Sequence, residues 1–296
     1  MRRGVFKIVK AALLFLWAAC ALVAAPDIRT VKADLVLPPL SEGEPAKGKR
    51  VKQTHPDWAK TQVYHVLYLP RDWKPGANKL PVIVEYAGNG PFRSRFGDVS
   101  TGHPEGSKMG YGISGGAGYI WLCLPYLNGA GTATVTQWWG DKPERDAGPT
   151  VAYCKKVVPW ICQKYGGDPE RVILCGFSRG AIACNFIGLH DDDIAKLWRA
   201  FIPYSHYDGV IERWSYSGAD RKSARTRLRR LGNRPQFISH EGNGVDATRR
   251  YLEGTGVKGR FTFHTTGFRN HNDEWLLRPG PARKKLRQWL TNTLKD

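Results

Sequence analysis

Residues 171–189 read RVILCGFSRGAIACNFIGL, and no other stretch narrows the possible folds so far. Arg171 to Cys175 carries a continuous apolar run, the pattern of a strand covered on both faces. Gly180 to Leu189 is small and apolar enough for a buried helix. The two meet at Gly176-Phe177-Ser178-Arg179-Gly180, which fits G-x-S-x-G. A strand that enters a helix through one serine between two small residues exposes the hydroxyl on a tight turn, in front of the helix's first free N–H groups. With 33 glycines in the chain the bare pattern is weak; the strand before it and the helix after it give it weight.

The remaining chain extends this alternation. Strands are expected at 62–69, 80–86, 119–124, 200–204, 236–239 and 260–264, from apolar runs of strand length. Helices are expected at 151–165, 247–252 and 281–294, from apolar residues at helical spacing. Gly166-Gly167-Asp168-Pro169 stops the first of these helices, and Ala87-Gly88-Asn89-Gly90 is a glycine-rich loop after the second strand of the run. Strand and helix alternating over more than 200 residues predict an α/β domain with a mainly parallel sheet and helices on both faces. There is no internal repeat.

The N-terminus reads separately. Arg2, Arg3, Lys7 and Lys10 precede an apolar run from Ala11 to about Val23, and Ala19-Cys20-Ala21 offers a cleavage site. That run is shorter than the roughly 20 residues of a membrane span, so residues 1–21 read as a signal peptide of an exported protein, secreted or periplasmic, with no lasting membrane insertion. Residues 22–60, rich in Pro, Lys and Glu, read as an arm or linker, and 61–296 as the folded domain. The net charge of +19 falls to +15 when the four leader cations are removed, which suits an anionic partner or simply solubility. Five cysteines remain beyond Cys20. They lack a C-x-x-C spacing, so neither a zinc site nor a dithiol redox site is expected, and a chain of this size is not expected to need a disulfide framework.

Ser178 needs a base, and chains with such an elbow run in the order Ser, acid, His. Of the histidines after Ser178, His271 lies in a loop just beyond the last strand, where a base can reach the elbow. His264 falls inside that strand, and His190, His206 and His240 come too early. The acid should follow the strand ending at Ser239. Asp246 is the favoured choice, doubling as a helix cap, and Glu241 is the other. The backbone N–H groups of Asn89 and Arg179 are the expected oxyanion donors.

On these residues the chain resembles the α/β-hydrolase superfamily, and within it secreted esterases of the polyhydroxybutyrate-depolymerase, feruloyl-esterase and dienelactone-hydrolase-like groups. The likeness covers about residues 61–296. It is carried by Gly167-Asp168-Pro169-Glu170-Arg171-Val172 leading into the elbow, and by Tyr64-x-x-x-Tyr68-Leu69-Pro70. The chain departs from the pattern at Ala87-Gly88, where His-Gly is usual, at Arg179, where Met or Gln is common, and in a longer acid loop. The resemblance implies an α/β-hydrolase fold and hydrolysis of carboxylic esters through an acyl-enzyme, without metal or organic cofactor.

Trp138 and Trp139, in a loop at the expected mouth of the site, either stack on a sugar or phenolic ring of the substrate or form a packed loop core. The basic segment 220–230 is either a lid that attracts acidic substrate or a solvated helix face. The expected partner is a small-molecule or polysaccharide-linked ester. Nucleic acid is disfavoured because residues 220–234 hold no aromatic for base stacking. Competing readings are a peptidase of the prolyl-oligopeptidase kind, which normally carries a long propeller domain where some 60 residues stand here, and an inactive hydrolase-fold protein that binds acidic polymers. His190-Asp191-Asp192-Asp193 is the nearest thing to a metal motif and reads as a solvated helix end.

Overall fold

The computed structural model describes residues 25–76 and 79–295; the leader assigned to residues 1–21 lies outside them. In chain order the strands are β1 (Leu40–Ser41), β2 (Arg50–Gln53), β3 (His65–Tyr68), β4 (Leu80–Tyr86), β5 (Phe92–Arg93), β6 (Val99–Ser100), β7 (Ile120–Leu124), β8 (Tyr126–Leu127), β9 (Thr134–Val135), β10 (Gly167–Phe177), β11 (Ala200–Tyr204), β12 (Gln236–His240) and β13 (Phe261–Thr265). The helices are α1 (Met109–Ser114), α2 (Gly148–Tyr165), α3 (Arg179–Phe186), α4 (Asp192–Ala195), α5 (Arg221–Leu228), α6 (Gly244–Thr255) and α7 (Pro281–Thr293).

Nine strands form one sheet in the order β1-β2-β3-β7-β4-β10-β11-β12-β13. All neighbours pair in parallel except β3, which runs antiparallel to β2 and β7. β5 pairs with β6 and β8 with β9 as separate two-stranded ribbons. The central strands β4, β7, β10 and β11 are buried on both faces over 82–86, 120–124, 172–177 and 200–204, which is why these stretches are nearly continuous apolar runs rather than alternations, with Glu85 the one charged residue among them. Apolar residues of α2, α3, α5 and α6 pack on one face of the sheet, and those of α1 and α7 on the other. This is the α/β-hydrolase fold expected from the sequence.

The arm expected at 22–60 is different in the structure. β1 and β2 belong to the main sheet, so the folded unit begins well before Thr61. β2 escapes a periodicity reading because it lies near the sheet edge and is built from Arg50-Val51-Lys52-Gln53: Val51 is buried, and the Arg50 guanidinium lies over the Trp121 ring at 5.3 Å. Farther upstream, Ile28 is buried, its N–H donating to Asn270 Oδ1 at 2.7 Å, and Asp34 and Leu35 donate backbone bonds to Leu277 O. The segment is strapped to the domain at the loop that carries His271. The five described cysteines are all buried free thiols. Among the described residues no helix is long and apolar enough to cross a membrane, and no cluster could hold a metal ion.

Candidate active site

The elbow is a steric necessity of its own sequence. A Cβ on Gly176 would lie 2.3 Å from the backbone carbon of Gly180, and one on Gly180 would lie 1.9 Å from Tyr86 O. α3 closes this tightly on β10 and on the end of β4 only because neither glycine has a side chain. Ser178 sits between them at φ 56°, ψ −113°. For a residue with a Cβ such backbone costs about 1–3 kcal/mol, and residues held so cluster at functional sites. The Ser178 N–H donates to Tyr204 O at 2.9 Å, so the strained turn is pinned to the end of β11.

His271 arrives from the loop after β13. Its Nε2 is 3.0 Å from Ser178 Oγ, and its ring lies 4.6 Å from that of Phe177 and 5.5 Å from that of Phe92, centroid to centroid. The loop is braced on both sides of the histidine. Tyr204 Oη donates to Asn270 O and Asn272 O, and both asparagine side chains donate to Oδ1 of the buried Asp98, at 3.0 and 3.2 Å.

The carboxylate at the imidazole is Glu241, whose Oε1 is 2.6 Å from His271 Nδ1. Asp246, favoured in the sequence, stands exposed in the first turn of α6, where its N–H donates to Asn243 O. Glu241 is the first residue after β12, at the strand end beside the His271 loop, whereas Asp246 has already entered α6. Burial alone would raise the Glu241 pKa, but the His271 hydrogen bond and the His271 and His240 charges outweigh it and lower it to about 2. Glu241 is therefore ionised at neutral pH.

Ser205 joins this pair and was not singled out in the sequence. Its hydroxyl donates to Glu241 Oε1 at 3.0 Å and lies 2.9 Å from His271 Nδ1. It is also held at φ 87°. His206 and His240, set aside as too early in the chain, both reach the site. The His206 ring lies 5.3 Å from the His271 ring, and burial, then the His271 charge, lowers its pKa to about 3. His240 Nδ1 is 2.6 Å from Glu241 O.

The Arg179 side chain has a role that its backbone assignment did not anticipate. It is 1% exposed; Nη1 donates to Trp138 O at 2.7 Å, and Nη2 to Gly88 O and Gly102 O, both at 3.0 Å. The guanidinium lies over the Tyr126 ring at 3.7 Å, and burial lowers its pKa to about 10, leaving it charged at neutral pH. The residue after Ser178 thus ties the glycine-rich loop to the elbow. Asn89 lies in that loop, its Oδ1 accepting from Trp138 N at 2.8 Å.

The two tryptophans form the packed core of their loop. Trp139 is fully buried and stacks on Phe186, with centroids 4.5 Å apart, and Trp138 is 8% exposed between Trp139, Trp214 and Tyr216. A ring so enclosed has no free face for a substrate. The aromatic groups near the triad with surface to offer are Phe92, 39% exposed, and the half-buried Trp214, whose ring is 5.7 Å from that of His206. Neither stands in an apolar run that a periodicity reading detects. The basic segment does not form a lid: α5 packs on α3, with Arg227 buried against Asp208 at 2.8 Å and over the Phe186 ring.

No family model and no curated protein matches the chain. Its fold is similar to those of many solved structures. The serine hydrolase FphF of Staphylococcus aureus aligns over 85% of this chain and 100% of its own, at 10% identity and TM-score 0.52. A ferulic acid esterase aligns over 84% of this chain and 99% of its own, at 13% identity and TM-score 0.50. A protein described as a dipeptidyl aminopeptidase IV, from Bacteroides ovatus, aligns over 82% of this chain at 14% identity and TM-score 0.54. The chain spans 35% of that protein's length and 62% of the length of a thermostable esterase it also resembles. At these identities the likeness concerns architecture, and the architecture is that of the α/β hydrolases.

Proposed function

We propose that the protein is an exported serine hydrolase of carboxylic esters, acting through Ser178, His271 and Glu241 on esters of carbohydrate or phenolic type. The reading is carried by one observation: a strained serine whose Oγ is 3.0 Å from His271 Nε2, with Glu241 2.6 Å from Nδ1. In this reading His271 Nε2 takes the hydroxyl proton as Ser178 Oγ attacks the ester carbonyl. Glu241 holds the Nδ1–H tautomer and stabilises the imidazolium that forms. The N–H groups of Arg179 and Asn89 receive the oxyanion. His271 then protonates the leaving alcohol, and water repeats the sequence on the acyl-enzyme. Phe92, beside the His271 ring, and Trp214, beside the His206 ring, would contact the acyl or alcohol part. The ferulic acid esterase of like fold is consistent with a phenolic ester, and the apolar stretch 11–23 supports export.

Hydrolysis of p-nitrophenyl acetate and butyrate beside Ser178→Ala tests this. Loss of about 10⁴-fold or more in kcat is expected of the variant. A fluorophosphonate probe should label the wild type and not the variant. Equal activity in the two proteins, or labelling of both, would overturn the assignment.

A further inference from the structure

Helices α5 and α6 follow consecutive parallel strands, and each ends shortly before the next strand begins. Both therefore run from the carboxyl edge of the sheet towards its amino edge, starting on the side that carries Ser205 and Glu241. Between them lies a groove of about 720 Å³, lined by Arg221, Lys222, Arg225, Arg229, Arg250 and Tyr251 among others.

Most of the charge in this groove has no acid partner. Arg221 and Arg225 on α5 and Arg229 just past its end recur every four residues and so stack in a stripe about 12 Å long at 1.5 Å per residue. Arg221 pairs with Glu212 at 3.4 Å. Among the described residues no carboxylate pairs with Lys222, Arg225, Arg229 or Arg250, and all four are exposed. On the same segment Arg227 and Arg230 do find acids, Asp208 and Asp192, both away from the groove lining. Like charges one helical turn apart repel, so an anion that bridged them would relieve the repulsion as well as add contacts. Tyr251, in the same wall, has a buried hydroxyl with no hydrogen-bond partner.

We propose that the groove between α5 and α6 binds a carboxylated polysaccharide, a polyuronate chain lying along the arginine stripe. A stripe of this length fits a repeating anion better than a single one. The groove offers one tyrosine and no row of aromatic faces, which suits sugar carboxylates and not stacked bases. The proposal stands independently of the reading of the triad.

The test is binding of polygalacturonate to the purified protein by calorimetry, at two salt concentrations. One variant removes groove charge (Lys222→Gln, Arg225→Gln, Arg250→Gln). A control removes equal charge from exposed sites elsewhere (Lys60→Gln, Lys74→Gln, Lys142→Gln). The groove variant should lose about tenfold or more in affinity and the control less than about twofold, with binding weakening as salt rises. Fully methyl-esterified polygalacturonate should not bind, and both variants should keep the wild-type rate on p-nitrophenyl acetate. Equal losses in the two variants would reduce the effect to net charge and overturn the proposal, as would absence of binding by the wild type. Tighter, groove-dependent binding of oligothymidine would overturn the choice of polymer. A protein inactive on the ester that still binds polygalacturonate through the groove would break the triad reading and leave this one intact.

Discussion

The two sides of the His271 imidazole are built in opposite ways. On the Nε2 side stands Ser178, placed by five consecutive residues, with Gly176 lacking a Cβ because the turn itself comes back against Gly180, and Gly180 lacking one where the turn meets the end of β4. On the Nδ1 side stand Glu241 and Ser205, which come from the ends of two different strands, and the histidine itself follows a third. The serine is placed by its own sequence. The acid is placed by strand pairing over long distances, since only the parallel register of β11 with β12 and of β12 with β13 brings the three strand ends together. A site of this kind is robust on one side and contingent on the other, and substitutions should separate the two.

The sharpest break in the comparison is Glu241→Gln against Asp246→Asn. Removing the charge at Nδ1 should cost about 10³–10⁴ in kcat by mispairing the tautomer, whereas Asp246→Asn should remain within about twofold. Ester hydrolysis by the two variants distinguishes the acids, and the reverse ranking would restore Asp246.

On the elbow side the largest stability effect is expected from Arg179→Met, which fits the volume but leaves the carbonyls of Gly88, Gly102 and Trp138 without their donor. A loss of about 3 kcal/mol is expected in denaturant unfolding, with the midpoint falling and the slope unchanged.

Ser205→Ala sharpens the other side. It removes one hydrogen bond to Glu241 Oε1 without removing the charge, so kcat should fall about 3–30-fold with KM little changed, and Ser205→Thr should not restore the wild-type rate if φ 87° crowds the extra methyl. A change confined to thermal stability would make Ser205 a structural residue only.

The smallest effect is on acid stability. The folded-state pKa of Glu241, about 2, lies below the ordinary carboxylate value of about 4.3. Its contribution is therefore present above the ordinary value and is lost as pH falls from there through 2. Between pH 5 and pH 2 the Tm of the wild type should fall more steeply than that of Glu241→Gln; parallel curves would mean that the carboxylate gains nothing from the imidazole.

Much of this was legible in advance, and for identifiable reasons. The runs at 80–86, 119–124, 171–175 and 200–204 read as strands because burial on both faces leaves few polar residues to blur them. His271 was legible because only one histidine lies just beyond the last strand. β1 and β2 were not, because edge strands carry polar and basic residues and their partners lie farther along the chain. His206 and His240 were discarded on chain order, which says nothing about distance across a parallel sheet. Trp138 and Trp139 carried two readings because a tryptophan suits a binding surface and a loop core equally well; enclosure by Tyr126, Phe186, Trp214 and Tyr216 gave them to the core.

By itself, then, the sequence determined the alternating fold class, the elbow and its serine, and the histidine, since each depends on residues close together in the chain and on the period of their side chains. Only the tertiary structure decided which carboxylate meets the imidazole, that Arg179 turns its side chain inward to hold the loop of Asn89, and that the basic residues of α5 face those of α6 across a groove. Each of these is a meeting of residues about 20 to 90 positions apart, fixed by strand order and register, and such meetings leave no trace in local composition.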